Sequence, residues 1–162
     1  MAIPTQIADF LKSKPYTTLS HRTAFTAQEE AAVTHVPGRA WAKTVVCYLD
    51  GRPAVAVVPA YYRVDLERLR LLAGAKEARL ATEAEVAGLY PGIETGAVPP
   101  LGPLYGQAVY VDRTIAADEE VAFHAGTHTD AVRMRYEDLA DLSHPVIGEF
   151  GIGPAMAAHH GR

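Results

Sequence analysis

The sequence predicts an α+β fold: a single domain with a mixed, mostly antiparallel β-sheet flanked by short helices. Strand-like runs outnumber the helices between them, which disfavours a doubly wound parallel sheet. Two β-rich runs, 40–49 and 53–59, are joined by Asp50-Gly51, among the stronger short-range hairpin signals. The composition is that of an ordinary globular chain, 49% apolar and 21% charged. At 162 residues there is enough chain for one self-sufficient core, since folding at that size buries roughly 70% of the unfolded surface. No internal repeat, heptad pattern or hydrophilic linker divides it. Residues 1–150 therefore read as the domain, and 151–162, rich in Gly, Ala and His, as a flexible C-terminal tail.

The elements follow in order. Pro4 to Leu11 is a short amphipathic helix, with Ile3, Ile7, Phe10 and Leu11 on one face, and Tyr16 to Ser20 is extended. Thr26-Ala27-Gln28-Glu29 has the hydroxyl and acidic residue of a capping box and opens a helix to about His35, which Pro37-Gly38 ends. After the hairpin, Asp65 caps a helix through Leu72 that Gly74 stops, and Ala78 to Leu80 is a brief strand. Thr82-Glu83-Ala84-Glu85 repeats the capping box and starts a helix ending near Leu89, before the turn Pro91-Gly92. Strands are expected at 108–111, 121–125 and 131–135, and a helix from Glu137 to Leu142, ended by His144-Pro145.

Charge and cysteine content narrow the function classes. A net charge of -4 does not favour broad electrostatic capture of a nucleic acid duplex, so a nucleic-acid partner would be gripped over a small area. The N-terminal residues lack the basic start and apolar core of a signal peptide. No window approaches the ~20 apolar residues of a membrane span. The single Cys47 excludes an intramolecular disulfide and a cysteine-based structural zinc site. The expected location is the cytoplasm, with no membrane partner.

Three stretches carry candidate chemistry and are expected to converge on one pocket. Lys43 stands alone in the apolar strand around Trp41 and Val45-Val46; a buried ammonium there must be paired or reach a cleft, whereas on an edge strand it would simply face solvent. The segment Gly96-Ala97-Val98-Pro99-Pro100-Leu101-Gly102 is a rigid non-helical loop, either a plain connection or a cradle of backbone groups. Gly126-Thr127-His128 reads as a turn whose histidine is at the surface or at a site. His124 and His128 are four apart, but Gly126 between them argues against a helix that would align them on a metal, and no metal site or cofactor is expected. Cys47 lies in an apolar run without a local activator. The nucleophile elbow, the phosphate-binding P-loop and the dinucleotide glycine fingerprint are all missing. Tyr61-Tyr62-Arg63 has the elements of a base-stacking patch but equally of a strand end, half core and half surface.

Taken together the pieces resemble the aminoacyl-tRNA deacylase family of YbaK proteins and the editing domain inserted in bacterial prolyl-tRNA synthetase. The landmarks are Ala42-Lys43-Thr44-Val45-Val46, the helix region from Val64 to Leu69, Leu80 to Val86, Gly96 to Gly102, Phe123-His124-Ala125-Gly126-Thr127-His128, and the closing Arg133 to Leu139. Each is weak alone; their order and spacing are specific. The resemblance implies hydrolysis of the ester joining a wrong amino acid to the 3′ end of a tRNA, with Lys43, Gly96, Pro100 and His128 in the catalytic site. It places Ala97, Val98, Pro99, Leu101, Gly102, Gly126 and Thr127 around the substrate. Lys43 would contact the terminal adenosine or its phosphate, the loop from Gly96 to Pro100 would position a water with help from the substrate's 2′-hydroxyl, and His128 would hold or select the aminoacyl group at the rim.

Without synthetase domains the chain is expected to act in trans as a monomer. Its partner would be the tRNA acceptor end carrying a mischarged amino acid, with a synthetase or elongation factor as a helper. Alanine or cysteine on a proline tRNA is the leading substrate class, with serine or threonine the next. This sequence departs from better-known members in its Ala-Gly-Thr-His-Thr-Asp run and its two prolines at 99 and 100. The alternatives are a module that binds the aminoacyl-tRNA 3′ end or a free amino acid without hydrolysing it, and a structural protein that has kept only the fold.

Overall fold

The computed structural model of the chain describes residues 3–20 and 38–154. The helix expected from Thr26 to His35 and the last eight residues of the expected tail lie outside the described residues.

Helix α1 (Thr5–Leu11) starts after Pro4 and buries Ile7 and Leu11. Strand β1 (Thr17–Ser20) follows. Strands β2 (Ala42–Leu49) and β3 (Arg52–Pro59) form the expected hairpin, with Leu49 opposite Arg52. Asp50 and Gly51 take φ of 51° and 79°, the pair of positive values that a two-residue turn needs if its twist is to match the strands. After the short strand β4 (Arg63–Val64), Asp65 caps α2 (Leu66–Ala73) by accepting from the Glu67 and Arg68 amides at 3.0 and 3.1 Å, and Gly74 closes it in the left-handed region. Strand β5 (Ala78–Leu80) leads to α3 (Glu83–Leu89), whose reciprocal capping box joins Thr82 and Glu85. Strand β6 (Ala108–Asp112), the single-turn α4 (Arg113–Ala116), β7 (Glu120–Thr127), β8 (Asp130–Arg135) and α5 (Tyr136–Ser143) follow, then the short strands β9 (Val146–Gly148) and β10 (Gly151–Ile152).

The main sheet has the order β5-β2-β3-β6-β9. Its β5-β2-β3 part is antiparallel, and β6 and β9 add in parallel. A second, antiparallel sheet, β1-β8-β7, is joined to the first by a bridge between Trp41 and Ala122. The α+β class with a mixed, mostly antiparallel sheet is as expected. Alternation on the central strands divides the core: Val55, Val57, Val109 and Val111 face Phe123, Val132 and Leu139, while Ala54, Ala56 and Val58 face Leu69 and Phe150.

The C-terminal end of the fold hangs on one carboxylate. Asp112, 1% exposed, accepts from the Phe150 and Gly151 amides at 2.9 and 2.6 Å through Oδ1, and from the Thr114 amide at 3.2 Å through Oδ2. These bonds set β10 against β4. Ordered chain therefore continues past residue 150 into what the sequence reads as tail. Asp112→Ala leaves buried amides unpaired, each such loss costing about 1–3 kcal/mol. We expect it to lower unfolding stability by about 3 kcal/mol in urea titration; an unchanged midpoint would mean that Asp112 does not anchor β10.

Candidate active site

Strand β5 covers only part of β2. Their ladder is bracketed by the Asp50 amide donating to the Glu77 carbonyl and the Ala81 amide donating to the Val46 carbonyl, both 3.0 Å. Beyond Ala81 the capping box at Thr82 turns the chain away into α3. The edge of β2 from Ala42 to Val45 therefore has no neighbouring strand in its sheet among the described residues, and a cavity of about 370 Å³ opens against it. Its other walls come from Val86 of α3, Thr95, Gly96 and Val98 of the following loop, and His124 of β7.

The loop is fixed by backbone contacts. Gly96 has φ of 90° and lies exposed at the mouth, while Ala97 to Gly102 are buried. The Glu94 amide donates to the Gly126 carbonyl and the Gly126 amide to the Ala97 carbonyl, each at 2.9 Å. Gly126 can do this because β7 bulges between His124 and Thr127 and because its φ of 96° favours glycine. A Cβ there would stand 2.8 Å from Pro4 Cγ, so the joint is also pressed against the N-terminal helix. On the far side, the Ser143 hydroxyl lies 3.1 Å from the Pro100 carbonyl and 2.8 Å from the Leu139 carbonyl. Gly102 is a packing glycine: an added Cβ would meet the Gln107 carbonyl oxygen and Val109 Cγ2 at 2.5 Å.

Lys43 lines the cavity and is half-buried, and its ammonium donates to the Tyr62 carbonyl. Burial disfavours the charged form and holds its pKa below the ordinary 10.5. His128 stands one layer behind the wall. Its amide and its ring Nδ1 both engage Glu94 Oε1, at 2.6 and 2.9 Å. The cavity-lining histidine is His124, which packs edge-on between Trp41 and His128 with ring centroids 5.6 and 6.0 Å away. Thr127 Oγ1 donates to Asp130 Oδ2 at 2.8 Å and so closes the turn into β8.

The structure thus brings Lys43, Gly96 and Val98 together. It sets Ala97, Pro99, Pro100, Leu101 and Gly102 behind them as packing, Gly126 as the joint, and His128 and Thr127 in the adjoining turn. Sequence reasoning missed His124, Thr44 and Glu94. The four-residue spacing of the histidines was the available signal, since a bulge at the intervening glycine brings their rings together. Among the described residues no cluster of three or more His, Cys, Asp or Glu could hold a metal ion, and no helix is long and apolar enough to cross a membrane. Burial pushes the Cys47 thiol up to about 11, leaving it unreactive.

The family model described as the aminoacyl-tRNA editing domain matches residues 21–142. Among solved structures, a hypothetical protein is 22% identical with a TM-score of 0.80, the match covering 91% of this chain and 99% of the other. A candidate trans-editing enzyme for prolyl-tRNA synthetase is 23% identical with a TM-score of 0.77, over 94% and 100% of the two chains. A candidate signal transduction protein from Marinobacter aquaeolei VT8 is 21% identical with a TM-score of 0.77, over 95% of this chain and 32% of that one. At these identities the likeness speaks to the fold. No curated protein matches the chain.

The lowered pKa of Lys43 gives a stability signature. Between that lowered value and 10.5 the folded chain has released a proton that the unfolded chain keeps, so this group's contribution to stability improves as pH rises. Lys43→Met removes the cost of burying the charge. We expect it to be at least as stable as wild type at pH 7 by chemical denaturation, with the difference shrinking as pH approaches 10.5. A marked loss of stability at pH 7 would mean that the ammonium is held favourably after all.

Proposed function

The chain belongs to the aminoacyl-tRNA editing-domain family, and from that premise we propose that it hydrolyses the ester linking a wrong amino acid to the 3′ end of a tRNA. The observation that carries this reading is the coincidence of that match with a cavity built from the Lys43 strand and the Gly96 loop. An aminoacyl ester is already activated, so a positioned water and donors for the developing oxyanion suffice. Water adds to the ester carbonyl carbon, the bond to the ribose oxygen breaks, and a proton from the water ends on that oxygen. Free amino acid and uncharged tRNA result.

In this reading the backbone at Gly96, exposed at the mouth, orients the water with help from the ribose 2′-hydroxyl. Pro100 and the buried loop behind Gly96 hold it rigid. Lys43 receives the terminal adenosine or its phosphate, its ammonium exchanging the Tyr62 carbonyl for the ligand. His128 acts through His124, which it backs. Alanine or cysteine on a proline tRNA remains the leading substrate, in keeping with the neighbour described as a candidate trans-editing enzyme for prolyl-tRNA synthetase. Serine and threonine are next. Editing of this kind answers a limit of synthetic sites, where one methylene is worth only ~1–3 kcal/mol of discrimination.

The test is deacylation of a panel of labelled Ala-, Cys-, Ser-, Thr- and Pro-tRNAs by wild type and Lys43→Ala. We expect selective release of one small amino acid, reduced about 10²-fold or more by Lys43→Ala. Release no faster than background for every ester would sink the hydrolase reading and leave a module that binds the aminoacyl end.

A further inference from the structure

The uncovered edge of β2 carries a specific set of backbone groups. In a strand, the N–H and C=O of one residue point to the same side and alternate from residue to residue. The Val46 carbonyl is the acceptor for Ala81, and Asp50, an even number of residues on, donates to Glu77. The even positions of β2 therefore address the β5 side, and the odd positions pair with β3. Thr44 is the next even position, beyond the last bond of the β5 ladder, so its N–H and C=O point off the sheet into the cavity that Thr44 itself lines. Its Oγ1 is buried with no hydrogen-bond partner among the described residues. A backbone donor, a backbone acceptor and an unsatisfied hydroxyl thus collect on one residue at the cavity wall, where unpaired polar groups are costly.

We infer that the aminoacyl group docks on this edge, pairing with Thr44 as a single residue of an added strand. This rests on the deacylase reading above and names how that site would recognise its substrate. An α-aminoacyl ester has the same N–C–C=O unit as a strand residue. Its ammonium donates to the Thr44 carbonyl, and its ester carbonyl accepts from the Thr44 N–H, which polarises the bond that water attacks. Residues directly opposite in an antiparallel pair place their side chains on the same face. The amino-acid side chain then lies beside that of Thr44, on the wall that includes Val46 and Val98. The class of ligand selected is an L-aminoacyl ester with a free α-amino group.

The direct test is amide NMR of the full chain titrated with 3′-alanylamino-3′-deoxyadenosine, an amide that resists hydrolysis. We expect the Thr44 amide resonance to shift on saturation and its hydrogen exchange to slow about tenfold, as one added hydrogen bond would do. Cavity residues shifting while the Thr44 amide stays unmoved and unprotected, or no shift anywhere, would overturn the inference. In parallel, Thr44→Pro removes the N–H, which no strand among the described residues uses and which an edge position can lose, together with the side-chain hydroxyl. A folded Thr44→Pro should lose about tenfold or more in kcat/KM, and wild-type kcat/KM would count against the pairing. If that variant fails to fold, the NMR result alone decides. Protection of Thr44 without hydrolysis of any aminoacyl-tRNA would fault the deacylase reading alone; hydrolysis with an unprotected Thr44 would fault the pairing alone.

Discussion

The cavity depends on one backbone joint. Gly126 breaks the regular ladder of β7, adopts a φ that a side chain would strain, and packs so closely on Pro4 that a Cβ has no room. In that position its N–H and C=O reach across to Ala97 and Glu94 and hold the loop on both sides of Gly96 as a short extra pairing. The same bulge turns His128 back onto Glu94 and brings its ring to His124. Loop and histidine wall thus meet at a single residue without a side chain, with Pro4 and Ile7 packed against it. Backbone bonds, rather than side-chain contacts, therefore set the geometry of this joint.

Strand β2 meets three demands at once. Its far half is paired on both edges and builds the main sheet. Its near half loses one neighbour because the capping box at Thr82 diverts the chain into α3. An open edge normally invites pairing with other chains. Here the uncovered stretch among the described residues is short, Ala42 to Val45, and Val86 of α3 and the Gly96 loop stand beside it as walls of the cavity. The helix start that ends one ladder is what creates the binding edge of the other.

Much of this was legible locally. Asp50-Gly51, the Asp65 and Thr82 caps and the Gly74 stop are chemistry within a few residues, and the hairpin and helices they bound stand within a residue or two of where the sequence sets them. The parallel addition of β6 and β9 was not legible, because register across distant segments leaves no local trace. Nor was Asp112, whose partners lie some forty residues on, or the single turn of α4 between two strands. At the site, the loop read as a ligand cradle is divided: Gly96 and Val98 reach the cavity, while Ala97 and the stretch from Pro99 to Gly102 serve packing. Proline and glycine mark a rigid loop equally well in either role, so the sequence could not apportion them. His124 was hidden because β7 is apolar on both faces and its burial depends on the bulge.

The chain's charge and its buried lysine point to the same mode of recognition. With a net charge of -4, long-range attraction of a polyanion is weak, so the proposed function leans on contacts inside the cavity. Lys43 is suited to that because it is partly desolvated: a charge held away from water interacts more strongly with an anion or dipole brought beside it. Its present partner is a neutral carbonyl, which satisfies the ammonium without neutralising it. An incoming phosphate or ribose oxygen therefore meets a cation whose charge is still available, and whose low-cost internal partner can be exchanged. Under the proposed function, that arrangement favours a grip on the 3′ terminus over one on the duplex.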